Sequence, residues 1–329
     1  MAQLVTIYGG SGFVGRYIAR RMAKAGWRVR VAVRRPNEAI FVKPYGVVGQ
    51  VEPVLCNIRD EASVTAAMQG ADVVVNCVGI LAPDGKNKFD TVQHEGAERI
   101  ARLAAQEDVS RLVHISAIGA DADSDSEYSR SKALGEAGIL EHFPNAVILR
   151  PSIVFGPEDD FFNRFASLSQ LGPVLPVVGA STQFQPVYVD DVAHAAQLAV
   201  FGKAEPGIYE LGGPEVHTFR ALMEEMLSVI SRRRLVVNIP FFVAEAMGTT
   251  FDIVTAVSAG LIKGPLTRDQ VRNLKRDNIV SKEAKSFADL GITPTELATV
   301  LPQYLWRFRP SGQYDAIKKS AQNLKSHEP

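Results

Sequence analysis

Cysteine is scarce in this chain, which has two, Cys56 and Cys77, among 329 residues. Both fall in segments that predict strands, so we expect buried thiols and no disulfide framework, as in a reducing compartment. An excess of charge of one sign is also missing, because the formal net charge is zero. That balance excludes the basic surface of a nucleic-acid-binding protein. The six histidines lack the paired spacing of zinc ligands, and the sequence predicts no metal.

Long hydrophobic runs are absent too, and no stretch of about 18 residues is apolar enough to predict a membrane-spanning helix. The most apolar segment, 235–262, is interrupted by Asn238, Pro240, Glu245 and Asp252. The opening MAQLVTIYGG has no charged leader and no cleavage pattern. We therefore expect a protein that is not integral to a membrane. The apolar segment is interpreted as core of a second lobe or as a contact surface for a partner or the bilayer edge.

A glycine-rich turn is what the chain does have, between two segments that predict strands. Leu4 to Tyr8 and Val29 to Val33 are apolar runs, and apolar residues recur at helical spacing between them. Glycines in such a turn let a pyrophosphate approach main-chain N–H groups at the start of the helix. The pattern predicts a dinucleotide site, and glycines needed only for packing are the alternative. The glycines of the turn are Gly9, Gly10, Gly12 and Gly15.

The end of the second strand selects the cofactor. NAD-binding sites place a carboxylate there for the ribose 2′-hydroxyl, whereas this chain has Arg34 and Arg35. Two guanidinium groups suit a 2′-phosphate, so we predict NADP(H), that is NADPH or NADP, over NAD(H). The alternative is that both arginines are solvated loop charges.

Strand and helix patterns continue to alternate as far as the segment NAVILRPSIVFG. This alternation predicts an α/β fold, a Rossmann-type doubly wound parallel sheet that binds ligands at the carboxyl ends of its strands. Asn57 and Ile58 would border the adenine, and Val78, Gly79 and Ile80 would lie under the cofactor. We divide the chain into an NADP(H)-binding domain (1–155, its sheet completed by later segments), a smaller α/β C-terminal lobe (156–305) and a polar tail (306–329) that orders only against a partner.

Tyr128 and Lys132 stand four residues apart in YSRSK, so a helix would place them on one face. A phenol with a pKa of about 10 takes part in proton transfer at neutral pH only when a nearby cation favours its anion. The pair is therefore a candidate catalytic site, and Lys132 alone is a candidate ligand for a ribose hydroxyl.

Several motifs together carry a family resemblance. YGGSGFVG, YSRSK and LRPSIVFGPEDDFFNRF, in this order, resemble an extended or atypical short-chain dehydrogenase/reductase. The segments 150–165, 185–193 (QPVYVDDVA) and 265–281 (PLTRDQVRNLKRDNIVS) narrow the resemblance to the nucleotide-binding accessory subunit of respiratory complex I, NADH:ubiquinone oxidoreductase. In that subunit the nucleotide is a structural cofactor that is not turned over.

The resemblance implies roles for individual residues. Gly9, Gly12, Phe13 and Gly15 would hold the pyrophosphate, Arg34 and Arg35 would meet the 2′-phosphate, Val78 and Gly79 would line the adenosine side, and Ser116, Lys132, Pro151 and Ile153 would approach the nicotinamide end. It also implies other complex I subunits as partners, possible contact with the membrane surface, and a peripheral location on the cytoplasmic face of the bacterial inner membrane.

The chain departs from the family pattern near the tyrosine. The strand before it ends HISAIGAD, so Ser116 is the earlier hydroxyl position and Ala117 stands where the useful serine would be. Gln93 replaces a common asparagine, and ADADSDSE predicts a solvated, flexible loop. These departures favour an accessory subunit without turnover. The alternatives are a soluble NADP(H)-dependent reductase or epimerase that uses Tyr128 and Lys132, and a nucleotide-sensing regulator.

Overall fold

A computed structural model describes residues 2–257, 266–310 and 312–314 of the chain. Its strands are, in chain order, β1 (Leu4–Tyr8), β2 (Arg28–Val33), β3 (Val51–Leu55), β4 (Val73–Asn76), β5 (Arg111–Ile115), β6 (Val147–Pro151), β7 (Val154–Phe155), β8 (Val174–Val178), β9 (Gln183–Phe184), β10 (Val187–Tyr188), β11 (Gly207–Leu211), β12 (His217–Thr218) and β13 (Leu235–Ile239). The α-helices are α1 (Phe13–Lys24), α2 (Glu61–Met68), α3 (Glu95–Gln106), α4 (Glu127–His142), α5 (Phe162–Leu168), α6 (Val189–Val200), α7 (Phe219–Val229), α8 (Phe241–Val257), α9 (Arg268–Asn273) and α10 (Leu297–Leu305). A π-helical turn, Asp90–His94, leads into α3, and 3₁₀ segments cover Pro36–Tyr45, Ala288–Leu290, Trp306–Phe308 and Gly312–Tyr314.

One parallel sheet organises the molecule. Within the described residues it has seven strands in the order β11-β6-β5-β4-β1-β2-β3, and each neighbouring pair is parallel. Every residue of β1 and β4 is buried, because helices cover both faces of the sheet. The predicted α/β fold with a doubly wound sheet is confirmed. The direction of strand order reverses between β1 and β4, which is where such sheets bind ligands.

Two apolar clusters fill the space above and below this sheet. One includes residues of α1 and α6, such as Ile18 and Val192, and the other includes residues of α2 and α3, such as Val64 and Ile100. The edge strand β11 and the helix α6 come from the range assigned to the smaller lobe, yet both pack with the sheet. The division of the chain at residue 155 stays a prediction.

A further apolar cluster forms the core of the C-terminal lobe, where α5, α7 and α10 meet. The first residues of the range 306–329 pack on this lobe: Arg309 donates to the Val229 carbonyl at 2.8 Å and Arg232 to the Phe308 carbonyl at 2.9 Å. The expectation that the tail orders only against a partner is therefore wrong for residues 306–310, because guanidinium groups tie this backbone to the lobe. Residues 311 and 315–329 lie outside the described residues.

The apolar segment 235–262 divides between β13 and α8, where Val236 and Ala244 are buried but Leu235 is exposed, and residues 258–262 lie outside the described part. Phe242 at the start of α8 is nevertheless 74% exposed. Among the helices that the structure describes, none is both long and apolar enough to cross a bilayer.

The positions of the two cysteines correct the prediction that both lie inside strands. Cys56 and Cys77 each follow the last residue of a strand, β3 and β4. Each N–H still donates to the neighbouring strand, Cys56 to Val33 and Cys77 to Tyr8, both at 2.9 Å. The sheet hydrogen bonding therefore extends one residue further than the strands. Both cysteines lie at the carboxyl ends of the strands, where they line the cleft described below.

Candidate functional site

A cleft opens at the carboxyl ends of β1, β2, β3 and β4, at the point where the strand order reverses. The predicted cofactor residues that line it are Gly9, Gly12, Arg34, Asn57, Ile58, Val78, Gly79 and Ile80. These residues come from turns far apart in the sequence, and the parallel sheet brings them together because its strands end on the same side.

The glycine turn is shaped by close backbone contacts. Gly9 adopts a φ of +72°, which favours glycine, and its carbonyl accepts a hydrogen bond from the Gly12 N–H at 2.9 Å. A Cβ at Gly15 would stand 2.4 Å from the Gly9 carbonyl oxygen, so only glycine fits there. Gly15 therefore acts through packing of the turn. Phe13, the first residue of α1, is half-buried and packs edge-on against Tyr17.

The start of α1 leaves backbone N–H donors free for an anion. Gly12 is the N-cap, it supplies no side-chain hydrogen bond, and the first turn has no acidic residue. The first N–H groups of a helix have no partner within the helix and carry partial positive charge. The turn and the helix start therefore fit a pyrophosphate.

The two arginines after β2 have different surroundings. Arg34 lines the cleft, whereas Arg35 forms an ion pair with Glu38 at 3.0 Å and its side chain is 76% exposed. Arg16 lies over the Phe41 ring at 4.8 Å and donates to the carbonyls of Gly12 and Ser11. Of the predicted arginine pair, Arg34 is thus the one placed to meet a ligand.

Lys132 lies in α4, nearly fully buried at 5% exposure. Its Nζ donates to the Ile115 carbonyl at 3.2 Å, and burial lowers the pKa of Lys132 to about 8. A Cβ at Gly79 would stand 3.4 Å from this Nζ and 3.8 Å from Oε1 of Gln93. The ammonium therefore faces the cleft residue Gly79 across a space that glycine leaves open.

Gln93 is the second polar group at this place, in the π-helical turn before α3. Its Nε2 donates to the Ile80 carbonyl at 3.3 Å and to Ser131 at 3.4 Å, and its buried Oε1 has no hydrogen-bond partner among the described residues. An unpaired buried amide oxygen is costly unless a ligand pairs with it. Gln93 and Lys132 thus supply an acceptor and a donor, which fits the hydroxyls of a nucleotide ribose.

Tyr128 lies one turn before Lys132 in α4. Burial raises the pKa of the Tyr128 phenol to about 12, and its ring packs edge-on against Phe89 with centroids 5.8 Å apart. A catalytic phenol needs a cation that lowers its pKa, and here desolvation is the dominant influence. The spacing of the pair is as predicted, and burial acts against ionisation of the phenol.

Ser116 has its hydroxyl in a buried ionic network. It follows β5 directly, its N–H donates to the Leu149 carbonyl at 2.7 Å, and its hydroxyl donates to the Glu136 carboxylate. Arg150 pairs with Glu136 at 2.5 Å and approaches Glu210 at 3.6 Å. The role of Ser116 toward a cofactor stays a prediction, and its side-chain contact does not support it.

Sequence reasoning missed Glu136 as the partner of this serine and Arg150 as the partner of Glu136. The available signal was the spacing of Lys132 and Glu136, which are four residues apart and share a helix face. It also missed His114, which is buried with neither ring nitrogen hydrogen-bonded within the described residues. Burial, followed by the charge of Lys132, holds the pKa of His114 well below its usual value, so the imidazole is neutral.

Pro151 and Ile153 lie at the end of β6 and just beyond it. Pro151 is buried and Ile153 is half-buried, and the hydroxyl of Ser152 between them donates to the Asn278 carbonyl at 2.9 Å. Their approach to a nicotinamide stays a prediction.

The acidic segment 120–127 is solvated as predicted at Asp123, Asp125 and Glu127, which are exposed, but other residues of the segment make specific contacts. Ser124 and Ser126 are buried, Asp121 pairs with Arg276 at 2.8 Å, and the Ser126 hydroxyl donates to Asp269 at 2.9 Å. The carboxylates that suggested solvation are partly used in contacts with a segment about 150 residues away. Local composition cannot reveal such partners.

Comparisons with known proteins agree with this geometry. Residues 5–212 match the model of the NAD dependent epimerase/dehydratase family. The chain is 34% identical over 316 residues to "NADH dehydrogenase [ubiquinone] 1 alpha subcomplex subunit 9, mitochondrial" of Arabidopsis thaliana, covering 94% of this chain and 79% of that protein.

Two further relatives show the range of proteins with this fold. A ceramide reductase of Caulobacter vibrioides is 30% identical over 240 residues, covering 72% of this chain and 74% of the reductase. A dTDP-glucose 4,6-dehydratase of Streptomyces venezuelae, solved with NAD and TYD bound, has a TM-score of 0.70 at 19% identity, covering 96% of this chain and 100% of that chain. At that identity the likeness concerns the fold alone.

Proposed function

This chain belongs to the NAD dependent epimerase/dehydratase family, and from that premise we propose that it is an NADP(H)-binding accessory subunit of respiratory complex I. In this role it holds the nucleotide without turning it over and stabilises the peripheral arm of the complex near the membrane. The similarity to a subunit of NADH dehydrogenase along 94% of the chain supports the assembly. A nucleotide held this way stabilises the native state, since only the native state binds it.

The contact between Ser116 and Glu136 is the observation that carries the non-catalytic part of the proposal. A reductase of this type needs a hydroxyl that binds the substrate oxygen beside the tyrosine. Here the position expected to carry that hydroxyl holds Ala117, and the neighbouring Ser116 hydroxyl donates to a buried carboxylate and so is not free to replace it. The raised pKa of Tyr128 points the same way.

Binding is assigned to residues of this chain as follows. N–H groups of the turn and of the start of α1 bind the pyrophosphate, Arg34 binds the 2′-phosphate, Lys132 and Gln93 bind ribose hydroxyls, and Val78 and Gly79 allow close approach of the nucleotide to β4. When bound, the nucleotide supplies negative charge and hydrogen-bonding hydroxyls to these groups. The preference for NADP(H) is supported by the position of Arg34 and by the lack of an acid at the end of β2.

The proposal includes the other complex I subunits as partners and a peripheral location on the cytoplasmic face of a bacterial inner membrane. Native mass spectrometry of protein purified from its own cell tests the partners. We expect the chain to travel with iron–sulfur and membrane subunits and with bound NADP(H). Isolation as a free protein under conditions that keep complex I intact would contradict the assembly.

A reductase or epimerase that uses Tyr128 and Lys132 is the second candidate. It is favoured by the intact spacing of that pair and by the similarity to a ceramide reductase. A screen of carbonyl substrates with NADPH separates the two functions. We expect no turnover from the isolated chain, and we expect Tyr128→Phe to leave complex assembly unchanged. Turnover that Tyr128→Phe abolishes would establish the enzyme instead.

A further inference from the structure

Helix α9 lies between α4, which carries Lys132, and α8, which exposes apolar side chains. It belongs to the segment PLTRDQVRNLKRDNIVS, which nucleotide binding leaves without a role. Thr267 and Gln270 form a capping box at its start, so this short helix is defined locally. Its outward side chains are therefore available for contacts with its neighbours.

Toward α4, the carboxylate of Asp269 accepts hydrogen bonds from N–H groups in the first turn of α4. Oδ1 accepts from the Glu127 N–H at 2.7 Å, and Oδ2 accepts from the Tyr128 N–H at 3.3 Å and the Ser126 hydroxyl at 2.9 Å. The first N–H groups of a helix otherwise lack partners, and an anion there is stabilised by the helix dipole. Asp269 thus adds, from another element, to the local N-cap Ser126 and the first-turn acid Glu127.

Three more contacts fasten α9, together with Arg276 three residues beyond its end, to the same region. Arg272 donates to the Asp125 carbonyl at 2.8 Å, the Ser129 hydroxyl donates to Asn273 at 3.1 Å, and Arg276 pairs with Asp121 at 2.8 Å. Together with Asp269 they span the chain from residue 121 to residue 129. The position of α9 and the first turn of α4 are consequently linked.

Toward α8, the contact is between backbones. A Cβ at Gly248 would stand 2.9 Å from the Arg268 nitrogen, and that N–H donates to the Asp252 carboxylate at 3.1 Å. Lys275 pairs with Glu245 at 2.5 Å. The glycine permits this approach, so α8 and α9 are packed closely. Elsewhere along α8, Phe242 and Met247 have exposed fractions of 74% and 37%.

We infer that α9, through Asp269, couples nucleotide occupancy of the cleft to the ordering of α8 and its exposed apolar side chains. A nucleotide that pairs with Lys132 restrains α4, and a restrained α4 offers Asp269 a fixed set of donors. Docking of α9 then costs less conformational entropy, and α8 is ordered with it. By linkage, α9 docking strengthens nucleotide binding by the same factor. Asp269 is a positioning residue, and the inference rests on the nucleotide binding proposed above.

Amide hydrogen exchange with and without NADPH tests the coupling in the full chain. In the wild-type protein we expect NADPH to slow exchange in residues 241–252 and 268–276 by about fivefold or more, the lower end of typical coupling factors. Asp269→Ala should weaken NADPH binding by a similar factor and remove the nucleotide-dependent change in 241–252. Asp269→Asn, which keeps one acceptor oxygen, should restore part of the response.

Asp289→Asn is the matched control, because that carboxylate accepts from the Ser286 N–H within the lobe and contacts neither α4 nor the cleft. It should behave as wild type. Arg276→Ala, which removes an exposed ion pair, provides the same test if Asp269→Ala does not fold. NADPH binding without any change of exchange in 241–276 would overturn the coupling alone. A wild-type protein that binds no NADPH would overturn the proposed function as well.

Discussion

The two ends of the cleft are built differently, although both lie at the carboxyl ends of the strands of one sheet. The adenosine end has backbone turns, an open cleft and the exposed Arg34. The end near Tyr128 has buried charged side chains and a loop fastened to α9. The adenosine end, here called the backbone end, is shaped by backbone conformations and close approaches that glycine allows. The end near Tyr128, here called the ionic end, is shaped by ionic pairing in the interior.

Under the proposed function, this difference separates the requirements of nucleotide binding from those of turnover. Nucleotide binding needs donors and space, which the backbone supplies. Turnover needs a free hydroxyl and an activated phenol, whereas here Ala117 stands at the hydroxyl position and the neighbouring Ser116 hydroxyl donates to Glu136. The comparison predicts effects on stability at one end and on binding at the other.

The largest effect is expected from Arg150→Met at the ionic end. The substitution leaves the Glu136 carboxylate, whose side chain is 4% exposed, without its cation. Breaking a buried pair on one side costs about 3–5 kcal/mol in the free energy of unfolding, measured by urea denaturation. The matched control Arg35→Ala removes an exposed pair and should cost about 0–1 kcal/mol. Similar losses for the two variants would contradict the difference between the ends.

Lys132→Met tests the ionic end through the pH dependence of the free energy of unfolding. Burial lowers the pKa of Lys132 from 10.5 to about 8, so the unfolded chain binds more protons between those values and stability rises with pH there. The shift corresponds to about 3 kcal/mol at 1.36 kcal/mol per pKa unit. Lys132→Met should be more stable than wild type at pH 7 and should lose this rise.

The measurement is the difference in the free energy of unfolding between wild type and variant, at about pH 7 and pH 9.5, without nucleotide. Burial raises the pKa values of Cys77 and Tyr128, which opposes the rise above about pH 9 in both proteins. Subtraction removes the Tyr128 contribution, and it leaves of the Cys77 contribution only the part that comes from the charge of Lys132. Parallel pH profiles for the two proteins would show that Lys132 is not a buried cation.

Gly15→Ala tests the backbone end. The new Cβ would stand 2.4 Å from the Gly9 carbonyl oxygen, so the turn must shift, at a cost of about 1–3 kcal/mol. We expect NADPH affinity to fall by about tenfold or more, measured by calorimetry. Gly172→Ala is the control, since a Cβ there meets nothing within 4 Å. An unchanged affinity for Gly15→Ala would mean that the turn does not bind the nucleotide.

The smallest effect concerns cofactor choice. Arg34→Ala should weaken NADPH by about tenfold, consistent with loss of a hydrogen bond from a charged group, and should change NADH by less than about twofold. Arg35→Ala should have a smaller effect on NADPH, because Arg35 is paired with Glu38. Fluorescence titration of both nucleotides on both variants measures this. Equal weakening of NADPH and NADH by Arg34→Ala would remove the assignment to NADP(H).

Much of the backbone end was predictable because its information is local. The glycine spacing, the strand before it and the helix after it occupy neighbouring residues, and their physical requirements act over a few bonds. The residues HISAIGAD also indicated that Ala117 stands where the useful hydroxyl is expected, although Ser116 was still assigned to the cofactor.

The ionic end was predictable only in part. The spacing of Tyr128 and Lys132 indicated a shared helix face, but the burial that raises one pKa and lowers the other depends on elements packed around them. The contacts of the loop 120–127 were missed because its partners, Asp269 and Arg276, lie in a distant segment.

The order of apolar runs, glycines and turns in the chain was by itself enough to determine a doubly wound sheet and the place of its cleft, since parallel strands must end on one side. Only the tertiary structure decided which of the candidate binding or catalytic side chains are not engaged in other contacts. Hydrogen bonding and desolvation depend on what stands within a few ångströms, and for Ser116, Tyr128 and Asp269 those neighbours come from distant parts of the sequence.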